Sequence, residues 1–456
     1  MSISEISLSQ RYSDEYTQNA WSLSKESSNL NITLFQEKKL KKYNNIIEFE
    51  KIVGDHFLNI KDSTIKRKDK SISQKNKFKK RTAEFIIQIS DYFISVGTNK
   101  VLNIYNESYL EVNRIKKMFS DWIYNICEVQ NDKSKPIIVC SKNNISYIMP
   151  KNPKNISLIT SEISSLFLLK ISDNDYFCCT EKSVYIFRNL FSYYNSVQYK
   201  RKIIKNELMK SAIKIKDNLI VFKSNKVASK GKDGLIFYNC NSNLEISVDI
   251  KENYSFIFSS NGFLVMPTEA KINEYNHKIL LCACKKYTKE QKNGILLLNI
   301  EDKNNNNREN NFEFNYVFYD TRNFEVFCFC SLSIIKNDKN YFDTKEFIET
   351  NYFLVGGFEK NKNQGTIKLY KIIYNKNHSK IEYIEDIVMG NNKNNYLSKE
   401  SKIYIKEPIS CIIQSKLDGK ILITSWDGNV YLFDQPNIDD YLNFDDQFNS
   451  TQAFSK

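Results

Sequence analysis

The chain has little glycine, little histidine and no long apolar stretch. Glycine accounts for 12 of 456 residues, and neither G-x-x-x-x-G-K-[ST] nor G-x-G-x-x-G occurs, which disfavours loops that cradle phosphates. Three histidines leave little choice of general base for catalysis. No run approaches 18 apolar residues, the length that would span a membrane. We therefore expect neither an enzyme nor a membrane span.

The first ten residues, MSISEISLSQ, contain no basic region followed by an apolar one, so they do not resemble a secretory leader. Without that route the ten cysteines should stay reduced, and we expect the protein in the cytoplasm, the nucleus or both. In a strand, Cys282 and Cys284 would face the same side, as would Cys328 and Cys330. Zinc sites more often use C-x₂₋₄-C pairs, so we interpret these thiols as small core residues and expect no metal and no cofactor.

What the chain does have is 30 Phe and 28 Tyr, residues that favour strands. From Phe85 onward, short apolar runs alternate with turns in seven groups of about three runs. The first group has Phe85–Ile89, Tyr92–Val96 and Val101–Tyr105, and the last has Ile409–Ile413, Ile421–Thr424 and Val430–Phe433. A repeat of roughly 40 to 70 residues is typical of propeller blades. We predict an all-β fold with one β-propeller of seven four-stranded blades. Six or eight blades stay open, since the fifth group is irregular.

The third runs share a turn, alternating apolar residues, an aromatic residue and often Asp or Asn. Asp427-Gly428-Asn429-Val430-Tyr431-Leu432-Phe433-Asp434 has this pattern, as does Asp233-Gly234-Leu235-Ile236-Phe237-Tyr238-Asn239. The chain thereby resembles the WD40-repeat family over about residues 84–434. The resemblance implies blade-structural roles for Trp426, Asp427, Gly428 and Asp434. It also implies that an N-terminal strand, Asn45–Glu50, completes the last blade and covers its edge.

Three regions follow from this interpretation. Residues 1–44 are a polar, partly disordered arm, residues 45–434 are the propeller with a basic loop at 60–81, and residues 435–456 are an acidic, flexible tail. The basic loop also has the form of a bipartite nuclear-localisation signal. Three explanations of the basic loop stay open: a nuclear-localisation signal, a binding site, and drift in base composition.

Formal charge is unevenly divided between the connections of the predicted blades. On one face the formal charges of the emerging connections sum to +21, over segments 60–81, 200–210, 223–233, 285–293, 358–365 and 389–407. On the opposite face they sum to zero, over segments 301–311, 336–351 and 374–381. Drift in base composition should add positive charge to both faces equally, so the difference supports a selected basic face. A basic face attracts acidic partners.

We therefore predict a non-catalytic scaffold within a protein complex, with a basic face for an acidic or phosphorylated partner. Its candidate contacts are Lys66, Arg67, Lys68, Lys77, Lys79, Lys80, Arg81, Lys200, Arg201, Lys202, Lys285 and Lys286. The alternative is a nucleic-acid-associated propeller in RNA processing or chromatin, whose binding should be phosphate-directed and sensitive to salt.

Overall fold

The structure is a computed structural model of the chain that describes most residues between 85 and 438. The described ranges are 85–97, 100–115, 123–129, 137–141, 145–149, 152–160, 165–172, 175–180, 183–187, 202–203, 207–216, 219–226, 233–240, 244–248, 250, 252–257, 260–266, 277–288, 290–302, 312–337, 345–374, 379–387, 405–436 and 438. Within them, secondary structure consists of strands and one short 3-10 helix, Ser260–Gly262. No helix in these ranges is long and apolar enough to cross a membrane.

Seven antiparallel sheets contain all the named strands. Sheet 1 has β1 (Phe85–Ile89), β2 (Tyr92–Val96), β3 (Leu102–Tyr105) and β4 (Glu111–Ile115); sheet 2 has β5 (Ile123–Glu128), β6 (Ile137–Ser141), β7 (Ile145–Met149) and β8 (Asn152–Thr160). Sheet 3 has β9 (Ser165–Lys170), β10 (Tyr176–Thr180), β11 (Ser183–Phe187) and β12 (Lys202–Ile203); sheet 4 has β13 (Glu207–Lys216), β14 (Leu219–Lys226), β15 (Asp233–Asn239) and β16 (Leu244–Ser247).

The remaining three sheets follow in the same order along the chain. Sheet 5 has β17 (Asn253–Phe256), β18 (Phe263–Met266), β19 (His277–Tyr287), β20 (Gln291–Asp302) and β21 (Phe312–Arg322), with both β17 and β18 paired to β19. Sheet 6 has β22 (Phe324–Asn337), β23 (Lys345–Glu359), β24 (Gln364–Ile373) and β25 (Lys380–Ile387); sheet 7 has β26 (Ile409–Gln414), β27 (Ile421–Ser425) and β28 (Val430–Phe433).

Six of the sheets are meanders in which consecutive strands pair, and sheet 5 differs in that β17 and β18 both pair with β19. Seven successive antiparallel sheets of this kind are the blades of a β-propeller. The predicted fold class and blade number are therefore confirmed. Sheet 7 has three strands within the described ranges. The segment Asn45–Glu50, predicted to add its fourth strand, lies outside those ranges, as do the arm 1–44 and the loop 60–81.

By backbone contacts the chain divides into two compact units, Met1–Phe85 with Ile94–Lys251, and Ile86–Phe93 with Glu252–Lys456. In the first unit, one core cluster joins sheets 2 and 3 through side chains such as Ile138 and Tyr176. A second cluster joins sheets 3 and 4, where Phe177 and Tyr238 lie with ring centroids 6.1 Å apart. Alternate strand residues supply these contacts, as the sequence pattern predicts.

In the second unit, a core cluster between sheets 5 and 6 contains Leu297, Phe353 and Tyr370. Another between sheets 6 and 7 contains Leu354, Ile412 and Ile438. The Gln414 side chain connects β26 to β22, because its Oε1 accepts from the Ser333 backbone N–H at 2.8 Å and its Nε2 donates to the Ser333 carbonyl at 2.9 Å.

The packed chain extends past the predicted propeller boundary at residue 434. Gln435 Nε2 donates to the Ser333 carbonyl at 3.0 Å, and the Ile438 side chain is buried in the core between sheets 6 and 7. The other tail residues, 437 and 439–456, lie outside the described ranges. The start of the segment predicted as a flexible tail therefore belongs to the core.

Candidate binding surface

A group of charged side chains lies where the strands of sheets 5 and 6 meet their turns in the second unit. We call it the charged end; its members are Glu252, Lys285, Lys286, Lys292, Asp320, Glu325, Glu359, Lys360, Lys362, Lys368 and Asp386. Glu325 is the second residue of β22, Lys285 and Lys286 lie just before the end of β19, and Asp386 is the second-last residue of β25. Antiparallel pairing thus brings together residues that are far apart in sequence.

Lys285 and Glu325 form a buried ion pair, with side-chain exposures of 11% and 1%. The second carboxylate oxygen of Glu325 lies 3.7 Å from Lys360 Nζ, on a side chain that is about half exposed. A buried charge is costly unless it is paired. Glu325 thus holds one lysine inside the protein and another at its surface.

Lys286 belongs to a second cluster. Its Nζ donates to the Glu252 carboxylate at 2.5 Å and lies 5.5 Å from the centroid of the Phe318 ring. Tyr254 also donates its hydroxyl hydrogen to Glu252. The hydrogen bonds from Lys286 and Tyr254 lower the pKa of Glu252. Lys286 is therefore neutralised by a carboxylate and partly covered by an aromatic ring.

Lys368 is surrounded by carboxylates and aromatic rings. Its Nζ lies 2.8 Å from Glu359, 3.5 Å from Asp386 and 4.6 Å from the Phe324 ring centroid. Asp386 accepts a further hydrogen bond from Lys362 at 3.0 Å. Burial acts to raise the pKa of Asp386, but Lys362 and Lys368 outweigh it and the pKa is lowered. The same hydrogen bond raises the pKa of Lys362.

These pairs correct one part of the sequence-based prediction. Segments 285–293 and 358–365 together carry a formal charge of +4, but four carboxylates outside them pair with their lysines: Glu252, Asp320, Glu325 and Asp386. Lys285 and Lys286, predicted to contact an acidic partner, are both engaged in this way. Lys223, counted in segment 223–233, is fully buried in β14. Summing formal charge over the connections alone overstated the positive charge of this surface, because the carboxylates on neighbouring strands were not included.

The other predicted contacts are not brought together by the described chain. Lys202 lies in the two-residue strand β12, which pairs with β11. The remaining predicted contacts lie outside the described ranges; they are Lys66, Arg67, Lys68, Lys77, Lys79, Lys80, Arg81, Lys200 and Arg201. Their role stays a prediction.

The motif at Trp426 forms the turn that the sequence predicts between β27 and β28. Gly428 has φ = +97°, in the region that favours glycine. The Asp427 carboxylate accepts from the Asn429 backbone N–H at 2.9 Å and from the Tyr431 hydroxyl. Trp426 is buried, with its ring edge-on to Phe327 at 5.1 Å between centroids. Asp434 is exposed after β28, so its blade-structural role stays a prediction.

The nine cysteines whose side chains the structure describes are all buried. Cys282, Cys284, Cys328 and Cys330 are all buried, which confirms their interpretation as small core side chains. Burial raises the pKa of the Cys330 and Cys411 thiols to about 12. Within the described ranges, no three side chains of His, Cys, Asp or Glu are grouped so as to hold a metal ion. Thiols with such pKa values are poor nucleophiles at neutral pH.

The charged end contains six lysines and five carboxylates, so its formal charge is close to zero. Lys292, Lys360 and Lys362 are each about half exposed. Each of these three lysines lies at the surface while paired with a carboxylate of the protein.

Comparison with known proteins does not show a family for this chain. No protein-family model and no curated protein matches the chain. Similar solved structures include the Cps50 (Swd1) β-propeller domain of Myceliophteria thermophila, with 6% identity, coverage of 78% of this chain and 96% of that chain, and a TM-score of 0.48. The computationally designed Ika8 protein has 9% identity, 78% and 97% coverage, and a TM-score of 0.41. The propeller assignment itself depends on the strand order of the seven sheets, and membership of the WD40 family stays a prediction.

Proposed function

We propose that the protein is a non-catalytic scaffold that presents rigid surfaces to other proteins in a complex. The observation that carries this proposal is that ion pairs hold the charged side chains of the charged end in place. The strands that bear them are closely packed in the core. Lys368 is held by two carboxylates and a ring, and Lys285 by a carboxylate with 1% exposure. A surface fixed before binding loses little conformational freedom when a partner docks.

An acidic or phosphorylated partner is the finer part of the proposal. Its support is the charge of segment 60–81, which has ten basic and two acidic residues, and of segment 200–210. We assign the partner's contacts to Lys66, Arg67, Lys68, Lys77, Lys79, Lys80, Arg81, Lys200, Arg201 and Lys202. Lys285 and Lys286 are left out, since carboxylates of the protein already pair with them.

Charge reversal tests this proposal on the full chain. The probe is a fluorescent Glu- and Asp-rich peptide carrying two phosphoserines, and the variant is K79E/K80E/R81E. The matched control is K380E/K406E/K416E, which makes the same charge change at three lysines that are exposed in the structure. We expect the variant to weaken binding at least tenfold and the control to weaken it less than threefold. Equal losses in both would contradict a specific site, since only net charge would then matter.

A further inference from the structure

Strand β21 is the outermost strand of sheet 5 and has 11 residues, Phe312–Arg322. The other outermost strands of the described sheets (β4, β8, β12, β16, β25 and β28) have between two and nine. One edge of β21 pairs with β20, and no other strand in the described ranges pairs with the opposite edge. The backbone N–H and C=O groups along that edge are a template for pairing with another chain.

Each of the other outermost strands has a feature that protects its edge. β12 has two residues, and β16 and β28 have four each. The ladder of β4 shifts register between Ile104 and Tyr105 of its partner strand. β8 contains Pro153 and Lys154, and β25 begins with Lys380 and contains a register shift. Short strands, bulges, proline and lysine are devices that keep sheet edges from pairing.

The central run of β21 has none of these devices. Residues 314–319 have the sequence Phe-Asn-Tyr-Val-Phe-Tyr, with no charged residue, proline or glycine. Their ladder with β20 is regular, since the one register shift lies beyond them, between Asn293 and Gly294. The side chains of Asn315 and Val317 are exposed, that of Val317 to 43%. An exposed edge with such a sequence is typical of strands that pair between chains.

The same run is suited to antiparallel pairing with a copy of itself. Closed two-fold symmetry is the commonest arrangement of identical chains. A two-fold ribbon centred on Tyr316 places Phe314 opposite Phe318 of the second copy, and Asn315 opposite Val317 of the second copy. Aromatic residues then face each other at the centre of the ribbon, and such cross-strand pairs stabilise antiparallel strands.

The two carboxylates of β21 face aromatic residues in this register. Glu313 lies opposite Tyr319 of the second copy, and Asp320 lies opposite Phe312 of the second copy. Asp320 is also paired with Lys292 of its own chain, at 3.2 Å. Like charges directly opposite each other would destabilise a strand pair. The positions of the carboxylates therefore favour a second copy of the chain as the occupant of this edge.

We propose that two copies of the chain pair antiparallel through β21, so that sheet 5 of one copy continues into sheet 5 of the other. One strand pair is a small contact, and we expect a weak dimer with a Kd of about 1–100 µM. The dimer carries each surface of the protein twice, and a partner with two binding segments gains affinity from simultaneous contacts. The proposal does not depend on the nature of the partner at residues 60–81.

Sedimentation equilibrium of the full chain, from about 1 to about 300 µM, tests the proposal around the expected Kd. The variant N315K/V317K places lysines opposite each other in the ribbon and should raise the Kd about tenfold or more. Both side chains are exposed, so the fold should tolerate the change. The matched control is V112K/N113K, which makes the same two replacements at exposed side chains of β4. It should change the Kd less than about threefold.

Cysteine variants give a second test that does not rely on weakening the dimer. N315C and V317C are prepared separately, mixed and oxidised. The mixture should give a cross-linked dimer and each variant alone much less, because residue 315 faces residue 317 of the other copy.

Three results would overturn the proposal: a monomer over the whole concentration range, equal dimerisation of N315K/V317K and its control, or no more cross-linking in the mixture than in either cysteine variant alone. A monomer that binds an extended peptide of another protein along β21 would likewise contradict self-pairing.

Discussion

Lys285 and Glu325 lie 40 positions apart in the sequence and form an ion pair that is almost withdrawn from solvent. The pair joins β19 to β22 and therefore connects sheet 5 to sheet 6. Burying two charges costs free energy that their attraction recovers only when both are present. We therefore expect replacement of one partner to destabilise the protein, and replacement of both partners together to cost much less.

We expect Glu325→Gln to lower the free energy of unfolding by about 3–5 kcal/mol, since it leaves Lys285 buried without its counter-ion. The double variant Lys285→Met with Glu325→Leu should recover most of that loss. Urea unfolding followed by tryptophan fluorescence measures both. A cost below about 1 kcal/mol for Glu325→Gln would show that the pair is not effectively buried.

Trp426→Ala should be among the more damaging substitutions in sheet 7. The ring is buried against Phe327, and removing a buried aromatic side chain typically costs about 3–5 kcal/mol. Leu432→Ala, on the exposed face of β28, is the control and should cost less than about 0.5 kcal/mol. Similar midpoints for the two variants in thermal unfolding would contradict the described packing.

The contribution of Asp386 to the stability of the second unit should be lost at low pH. Because its folded-state pKa is lowered, its ion pairs stabilise the fold above the ordinary Asp pKa of about 3.9 and are lost as the pH falls through the folded-state value. The difference in unfolding free energy between wild type and Asp386→Asn should therefore shrink between about pH 5 and about pH 2.

Glu385→Gln, at an exposed neighbour on β25, is the control for that titration. Its difference from wild type should be small at every pH. A difference for Asp386→Asn that stays constant from neutral to acid pH would show that the pairs with Lys362 and Lys368 do not form.

The buried cysteines should resist alkylation in the folded protein. Burial raises the pKa of Cys127, Cys330 and Cys411 to about 12, so little thiolate exists near neutral pH. Iodoacetamide at about pH 8, followed by peptide mapping, should label these three in concentrated urea and leave them unlabelled without it. Rapid labelling of Cys411 in the native protein would contradict its place in the core.

Short apolar runs between turn residues predict many of the strands well. Phe85–Ile89, Tyr92–Val96 and Val430–Phe433 have the predicted bounds, because each is a run of mostly apolar residues between turn signals. Short outer strands such as β12 and β16 were missed, since two to four residues carry little pattern. β21 was missed although Phe312, Phe314, Tyr316 and Phe318 alternate along it.

The candidate surface could not be predicted in the same way. Glu325 is a single acidic residue in an apolar strand, and Asp386 is one of three acidic residues of β25. The sequence contains no sign that they meet Lys285 and Lys368. Such partners become neighbours only when strands of one sheet, or of two sheets, are placed side by side. The sequence-based count of charge failed for segment 285–293 for this reason.

The central claim, a scaffold for an acidic protein partner, is tested most directly by comparing two ligands across salt concentrations. The wild-type chain is titrated with the doubly phosphorylated peptide and with a generic single-stranded RNA at about 50 and 200 mM salt. We expect the phosphopeptide to bind more tightly than the RNA at both concentrations. Tighter binding of the RNA at about 50 mM salt, with a steep loss by about 200 mM, would contradict the account and favour a nucleic-acid-binding propeller.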